Sequence, residues 1–230
     1  MIIYPTRDKI AKYVKRSVLY EYLGIKELDK VPKNIIRDID NSEGIFIKLV
    51  SPYVVYNEFK KFEFSEEGVS ISDHFIKSFV LSWIAQNAVS VYIFIATIGD
   101  LLEKEVASLY SRGSFFMAQV ADAYGSVYVE ALLEFLIEYI EIEEGKKGLL
   151  VSAPYSPGYC DIDLSYQKVI LDLLGSENSI VSINEAYQMY PGKSVSGILF
   201  KMPEGKAKVF KNYFVCCEQC SNFLCKQRKK

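Results

Sequence analysis

Two stretches of this 230-residue chain carry residue types and spacings suited to chemistry. The first is APYSPGYCDIDLSYQ, residues 153–167. Gly158 has no side chain, so backbone groups there can approach a ligand closely. Tyr159 offers a flat face for an aromatic ring and a hydroxyl for a polar edge, and Pro157 stiffens the approach. Asp161 and Asp163 supply charge that suits a cationic ligand. Asp163 stands just before LSYQ, where a helix N-cap is wanted, which leaves Asp161 as the ligand candidate. A plain strand-to-helix connection punctuated by proline and glycine fits the same letters.

The second stretch is VCCEQCSNFLCKQRKK. Cys217, Cys220 and Cys225 are spaced C-x2-C-x4-C, with Cys216 adjacent. Thiolates at this spacing can reach one metal ion or an iron–sulfur cluster. A fourth ligand could come from Cys216, or from Cys160 if the tail folds back. The sulfurs alone permit zinc as readily as iron–sulfur, and a tail of free or oxidised thiols fits too.

Weaker signals lie between these. In MYPGKSVSG, Ser194 and Ser196 alternate, so on a strand their hydroxyls point the same way. Gly197 beside them would let a ligand or another backbone lie close. Asp122, Ser126 and Glu130 recur every four residues, on nearly one face of a helix. Gly125 among them costs about 1 kcal/mol relative to alanine, which predicts a close approach there. His74 is the sole histidine, and no catalytic pair can be built on it. No phosphate-binding or dinucleotide glycine motif is present.

These residues need elements to hold them. A first helix is expected from Thr6 to Tyr22, stopped by Gly24. Residues 32–50 are expected to be a helix ended by Pro52. PYVVYNEFKKFEF reads as one strand, and Ser72 as the cap of a helix carrying Ile76, Phe79, Val80 and Trp83. AVSVYIFIA is a β-branched run and hence a central strand. Helices follow at residues 100–110 and 114–144, then a strand at GLLVSA and a helix at LSYQKVILDLL. Residues 194–214 read as a hairpin turning at Pro203, Glu204 and Gly205. Helices and strands do not alternate regularly, so the expected class is α+β with a mainly antiparallel sheet.

Half the residues are hydrophobic, enough for one sizeable core. A net charge of -2 offers no broad nucleic-acid surface, and no membrane span is expected. The opening residues lack a signal-peptide pattern, so the expected location is cytoplasmic. Residues 1–214 are expected to form one domain whose first 50 or so residues are helical, followed by a cysteine-rich tail at 215–230.

Four segments, in order, resemble a known family: ATIGDLLEKEV at 96–106, ADAYGSVYVEAL at 121–132, SPGYCDIDLSYQKVILDLL at 156–174 and EAYQMYPGKSVSGILF at 185–200. Together they resemble the activation domain of cobalamin-dependent methionine synthase, in particular its free-standing versions, which often end in a similar cysteine cluster. The resemblance implies a curved α+β domain with a mainly antiparallel sheet and packed helices. It implies that Gly158, Tyr159, Asp161, Ser194 and Ser196 contact S-adenosylmethionine. It also implies a partner: a corrinoid-binding methionine synthase or related methyltransferase on a separate chain, which carries the cobalamin. A flavodoxin- or ferredoxin-type donor would supply the electron for reductive remethylation. Where the family places an arginine three residues before Pro-Gly-Tyr, this chain has Pro154. The stretch KAKVF stands where the family places a ligand-contacting tyrosine pair. A second expectation therefore stands beside the first: a corrinoid-protein docking module that holds zinc or an iron–sulfur cluster on Cys217, Cys220 and Cys225 and no longer binds S-adenosylmethionine.

Overall fold

The computed structural model describes residues 1–212 together with Cys217 and Cys220. In chain order the elements are β1 (Ile2–Ile3), α1 (Arg7–Ala11), α2 (Arg16–Tyr22), α3 (Lys33–Phe46), β2 (Tyr53–Phe59), β3 (Phe62–Ser65), β4 (Gly68–Ile71) and β5 (His74–Lys77). There follow α4 (Phe79–Ala85), β6 (Ser90–Thr97), α5 (Leu101–Ser111), α6 (Phe115–Gly145), β7 (Leu149–Val151) and α7 (Gln167–Leu174). The last are β8 (Ser182–Ile183), β9 (Met189–Tyr190), β10 (Ser194–Pro203) and α8 (Glu204–Phe210).

A curved antiparallel sheet of order β1-β2-β6-β10-β7 forms the frame. Strand β6 lies at its centre, and all eight of its residues are buried. Such burial needs apolar side chains on both faces, which SVYIFIAT supplies without alternation. On one face Tyr92, Phe94 and Ala96 meet α6 residues such as Tyr124, Tyr128 and Leu132. On the other, Val91, Ile93 and Ile95 meet Ile170 and Leu174 of α7 and Val80 and Ile84 of α4. The sheet thus separates two cores. A smaller three-stranded sheet, β3-β4-β5, adds Val69, Ile71 and Ile76 to the second.

One charged cluster sits near the C-terminal end of β10, an interior strand of this frame. The Lys201 ammonium donates to Glu58 and, at 3.2 Å, to Glu144. It also lies 5.6 Å from the centre of the Tyr92 ring. Ser90 Oγ donates to Glu58 at 2.6 Å. Burial pushes the Glu58 carboxyl up, but the hydrogen bonds from Lys201 and Ser90 outweigh it and hold the group below its ordinary value. For Lys201, burial works against the charge, and the bond to Glu58 with the surrounding negative groups leaves its pKa raised.

The α+β class and antiparallel sheet agree with the sequence reading, while several elements differ. The expected first helix is two, α1 and α2. The break turns Tyr13 toward α6, where its hydroxyl donates to Glu138 and its ring meets Phe135 edge-on at 6.3 Å. PYVVYNEFKKFEF divides at Lys60 and Lys61 into β2 and β3, which belong to different sheets. Ser72 caps no helix: it takes a φ of 51° in the turn before β5. Ser78 does the capping, its Oγ accepting from Leu81 N at 3.0 Å. Beyond β10 there is a helix rather than a returning strand. Pro203 is its N-cap, Glu204 lies in its first turn, and Ala207 and Phe210, three apart, are buried. Those are helix-start and helix-period signals, and they outrank the Pro-Glu-Gly turn.

Candidate functional site

Turn 154–163 is positioned by a backbone bridge. Tyr155 N donates to Ile198 O and Ile198 N to Tyr155 O, both at 2.9 Å. Gly197 makes this approach possible, since a Cβ there would lie 2.8 Å from the Tyr155 carbonyl oxygen and 3.0 Å from Ser156 Oγ. The body lying close to Gly197 is therefore a backbone. From Tyr155 the chain enters a tight turn in which Gly158 N donates to Ile162 O at 2.8 Å. Gly158 has a φ of 89°, in the region that glycine alone enters without strain. Tyr159 projects from this turn with 73 % of its surface exposed.

The carboxylates after the turn serve local backbone. Asp161 accepts from Ser78 Oγ at 2.5 Å, from Phe79 N at 2.8 Å and from Val80 N at 3.4 Å. It holds the start of α4 together with Ser78. Asp163 accepts from Ser165 N at 2.9 Å and caps the short turn of 3₁₀ helix leading into α7. Hydrogen bonds from Ser165 hold its carboxyl below the ordinary range. The two aspartates line a shallow hollow of about 190 Å³ with Lys77, Ser78, Phe79 and Tyr166.

Along β10, Ser194 Oγ donates to Pro191 O at 2.6 Å. Ser196, 1 % exposed, donates to Gln167 Oε1 at the start of α7. Of the five residues singled out for ligand contact, Asp161, Ser194 and Ser196 are each held by a different partner within the chain. Ser196 faces α7, Asp161 faces α4, and Tyr159 projects outward.

The opposite face of β10 gathers a different set. Gly125 of α6 receives the stem of Lys193: a Cβ at Gly125 would lie 3.0 Å from Lys193 Cε and 3.2 Å from its Cδ. The close approach expected from a mid-helix glycine is thus made by a lysine. The Lys193 ammonium lies 2.8 Å from Asp122 Oδ1 and donates to Ser126 Oγ at 3.0 Å. Its backbone is fixed from both sides. Its N–H donates to Glu103 Oε1 at 3.0 Å, and its carbonyl accepts from Ile98 N at 3.2 Å. Gly192 beside it has no room for a side chain, because a Cβ would stand 2.5 Å from Glu103 Oε1.

One helical turn further along α6, Glu130 accepts from the Tyr22 hydroxyl. Burial, and then the hydrogen bond to Glu130 and its charge, push the Tyr22 hydroxyl pKa up. Next to Asp122 opens a cavity of about 370 Å³ lined by Tyr22, Leu23, Gly24, Tyr110, Gln119, Asp122 and Ala123. The row Asp122, Ser126 and Glu130 was legible in the sequence as one helix face. Tyr22, Tyr110 and Gln119 were not, because no spacing in the chain ties them to that row.

The cysteines divide. Cys225 and Cys216 lie outside the described residues. Cys220 is 7 % exposed and packs into the second core, while Cys217 is half-buried. Among the described residues, no three histidine, cysteine, aspartate or glutamate side chains are grouped to hold a metal ion. Nor, among those residues, is any helix long and apolar enough to cross a membrane.

No protein-family model matches the chain, and no curated protein does. Solved structures do. A crystal structure of the MetH reactivation domain bound to AdoHcy (S-adenosylhomocysteine) superimposes with a TM-score of 0.71 at 14 % identity, covering 89 % of this chain and 78 % of that one. The chain has the fold of that reactivation domain.

Proposed function

We propose that a chain with the MetH reactivation-domain fold, equipped with this groove on α6, works as an accessory protein in the reductive remethylation of a corrinoid. The observation that carries this reading is the shared fold with a domain that holds AdoHcy. It is supported by the charged and aromatic residues along one face of α6. The partner is a corrinoid-bearing methionine synthase or related methyltransferase on a separate chain. In the cycle so proposed, the partner's cobalt takes one electron from a flavodoxin- or ferredoxin-type donor and a methyl group from the sulfonium, releasing AdoHcy. Such a reaction needs no cobalt ligand from this chain. It needs a surface that presents S-adenosylmethionine and keeps its methyl group accessible.

The residues fit an adenosyl ligand. Tyr22, Tyr110 and exposed Tyr159 offer flat faces, and Asp122 a carboxylate for a cation. Gly158 and Tyr159 keep the ligand contact that the resemblance implies, Tyr159 through its exposed ring. The roles first given to Asp161, Ser194 and Ser196 would require each to leave the partner it now holds. A metal fits less well. Cys220 is packed in the core, and a site on Cys217, Cys220 and Cys225 would have to draw it out. The cytoplasmic location is part of this proposal.

The test combines ligand and partner. Calorimetric titration with S-adenosylmethionine should give saturable heat. Adding the protein to a corrinoid methyltransferase held in its Co(II) state, with reductant and S-adenosylmethionine, should speed the return of the methylated spectrum. Absence of heat at about millimolar ligand would remove the methyl-donor role. Heat without any effect on the corrinoid would remove the reactivation role.

A further inference from the structure

We propose that the Asp122–Lys193 pair is the seat for the amino-acid end of the adenosyl ligand, Lys193 taking its carboxylate and Asp122 its ammonium, with the nucleoside in the adjoining cavity. This rests on the preceding reading that the chain binds such a ligand. It assigns the amino-acid end of that ligand to named residues of this chain's groove.

S-Adenosylmethionine and AdoHcy carry a zwitterion at one end and a flat aromatic base at the other. The groove shows the same pattern in complement. A cation and an anion stand 2.8 Å apart at its edge, and a cavity of about 370 Å³ with two tyrosine walls and the Gln119 amide begins beside them. An ammonium has three protons to donate. Lys193 directs bonds to Asp122 and Ser126, which leaves it one more for a carboxylate. Asp122 keeps 55 % of its side-chain surface exposed, so an incoming ammonium can reach it.

The lysine is held ready in advance. Its side chain is only 17 % exposed, its stem lies along Gly125, and both its backbone groups are tied down, to Glu103 and to Ile98. A cation fixed in this way loses little freedom on binding. The segment before the Pro-Gly-Tyr turn carries the uncharged Pro154. The cation reaches the groove from the loop before β10 instead. The same arrangement accounts for Gly125, since any side chain there would displace the lysine stem.

The experiment compares two probes by calorimetry: AdoHcy, and 5′-methylthioadenosine, which keeps the nucleoside and thioether but lacks the amino-acid end. The wild-type protein should prefer AdoHcy. Lys193→Met should weaken AdoHcy roughly ten- to a hundredfold, the worth of one charge-assisted hydrogen bond, and leave methylthioadenosine unchanged. Lys193→Arg should keep the preference, and Tyr110→Ala should weaken both probes. Circular dichroism verifies that each variant is folded. The proposal is overturned if Lys193→Met binds AdoHcy as wild type does, or weakens both probes equally. Either result leaves the ligand itself in place and removes only this seat. If wild-type protein binds neither probe, seat and ligand reading fall together.

Discussion

Replacing Lys201 with methionine should unbalance the charged cluster near the end of β10, and the structure sets both the size and the pH dependence of the loss. The wild-type ammonium is 8 % exposed and bonds Glu58 and Glu144, which are 23 % and 12 % exposed. Methionine refills the space but leaves Glu58 without its cation, and Glu144 with only the exposed Lys147 at 3.2 Å. Breaking a buried pair by removing one partner costs about 3–5 kcal/mol, and the residual exposure of Glu58 argues for the lower end. For a chain of this size, each kcal/mol moves Tm by about 2–4 °C, so a loss near 3 kcal/mol should lower the melt by roughly 6–12 °C at pH 7. The pH dependence then reverses sign at Glu58. In the wild type its pKa is depressed, so its contribution is present above the ordinary carboxylate range and lost as pH falls through the folded-state value. Without Lys201, burial dominates and the carboxyl binds its proton more readily folded than unfolded. Lowering the pH toward 4 should therefore narrow the gap between variant and wild type. The raised pKa of Lys201 acts at the other end: its contribution is present below the ordinary lysine range and lost as pH rises through the folded-state value. Thermal melts of both proteins at pH 7 and near pH 4 decide the matter. An equal loss at both pH values would refute the reasoning, as would a loss within 1 kcal/mol at pH 7.

Two further changes probe the turn. Gly197→Ala should cost about 1–3 kcal/mol, the range for overpacking, because the new methyl meets the Tyr155 carbonyl oxygen at 2.8 Å and backbone must move. Urea denaturation with an unchanged slope reads it, and a midpoint equal to wild type would count against the bridge. Asp161→Ala should cost about 1–2 kcal/mol by leaving the first amides of α4 without their acceptor. Its effect on AdoHcy affinity should be small, and a large selective loss would restore Asp161 as a ligand contact.

The sequence disclosed the frame better than the site. β6 was legible because eight consecutive strand-favouring and small residues admit few readings other than a strand buried on both faces. α6 was legible from its length. Segments near helix–strand ambiguity went astray: HFIKSFVLSW contains both a period of two and a period of three to four, and Ser72 and Ser78 are both plausible caps. Tertiary packing chose Ser78 by providing Asp161 as a second acceptor. At the site, Gly125 announced a close approach and Gly197 another, but a glycine does not say what approaches. The partners proved to be Lys193 and Tyr155, 68 and 42 residues away along the chain. The Ser196 hydroxyl leads to Gln167 at the start of α7, while the Ser194 hydroxyl turns back to the Pro191 carbonyl.

Strand β6 separates two cores and is covered from both sides, and this couples them. Opening either core to water would uncover only its own face of the strand, Tyr92, Phe94 and Ala96 or Val91, Ile93 and Ile95, but would loosen the one ladder on which both cores rest. A small molecule seated on the α6 face would therefore slow amide exchange on the far side as well, in α7 and in the ladder beneath it, at distances no contact could explain. Seen from the exchange rates of the backbone, the sheet acts less as a wall between two compartments than as their common hinge pin, which both must release together.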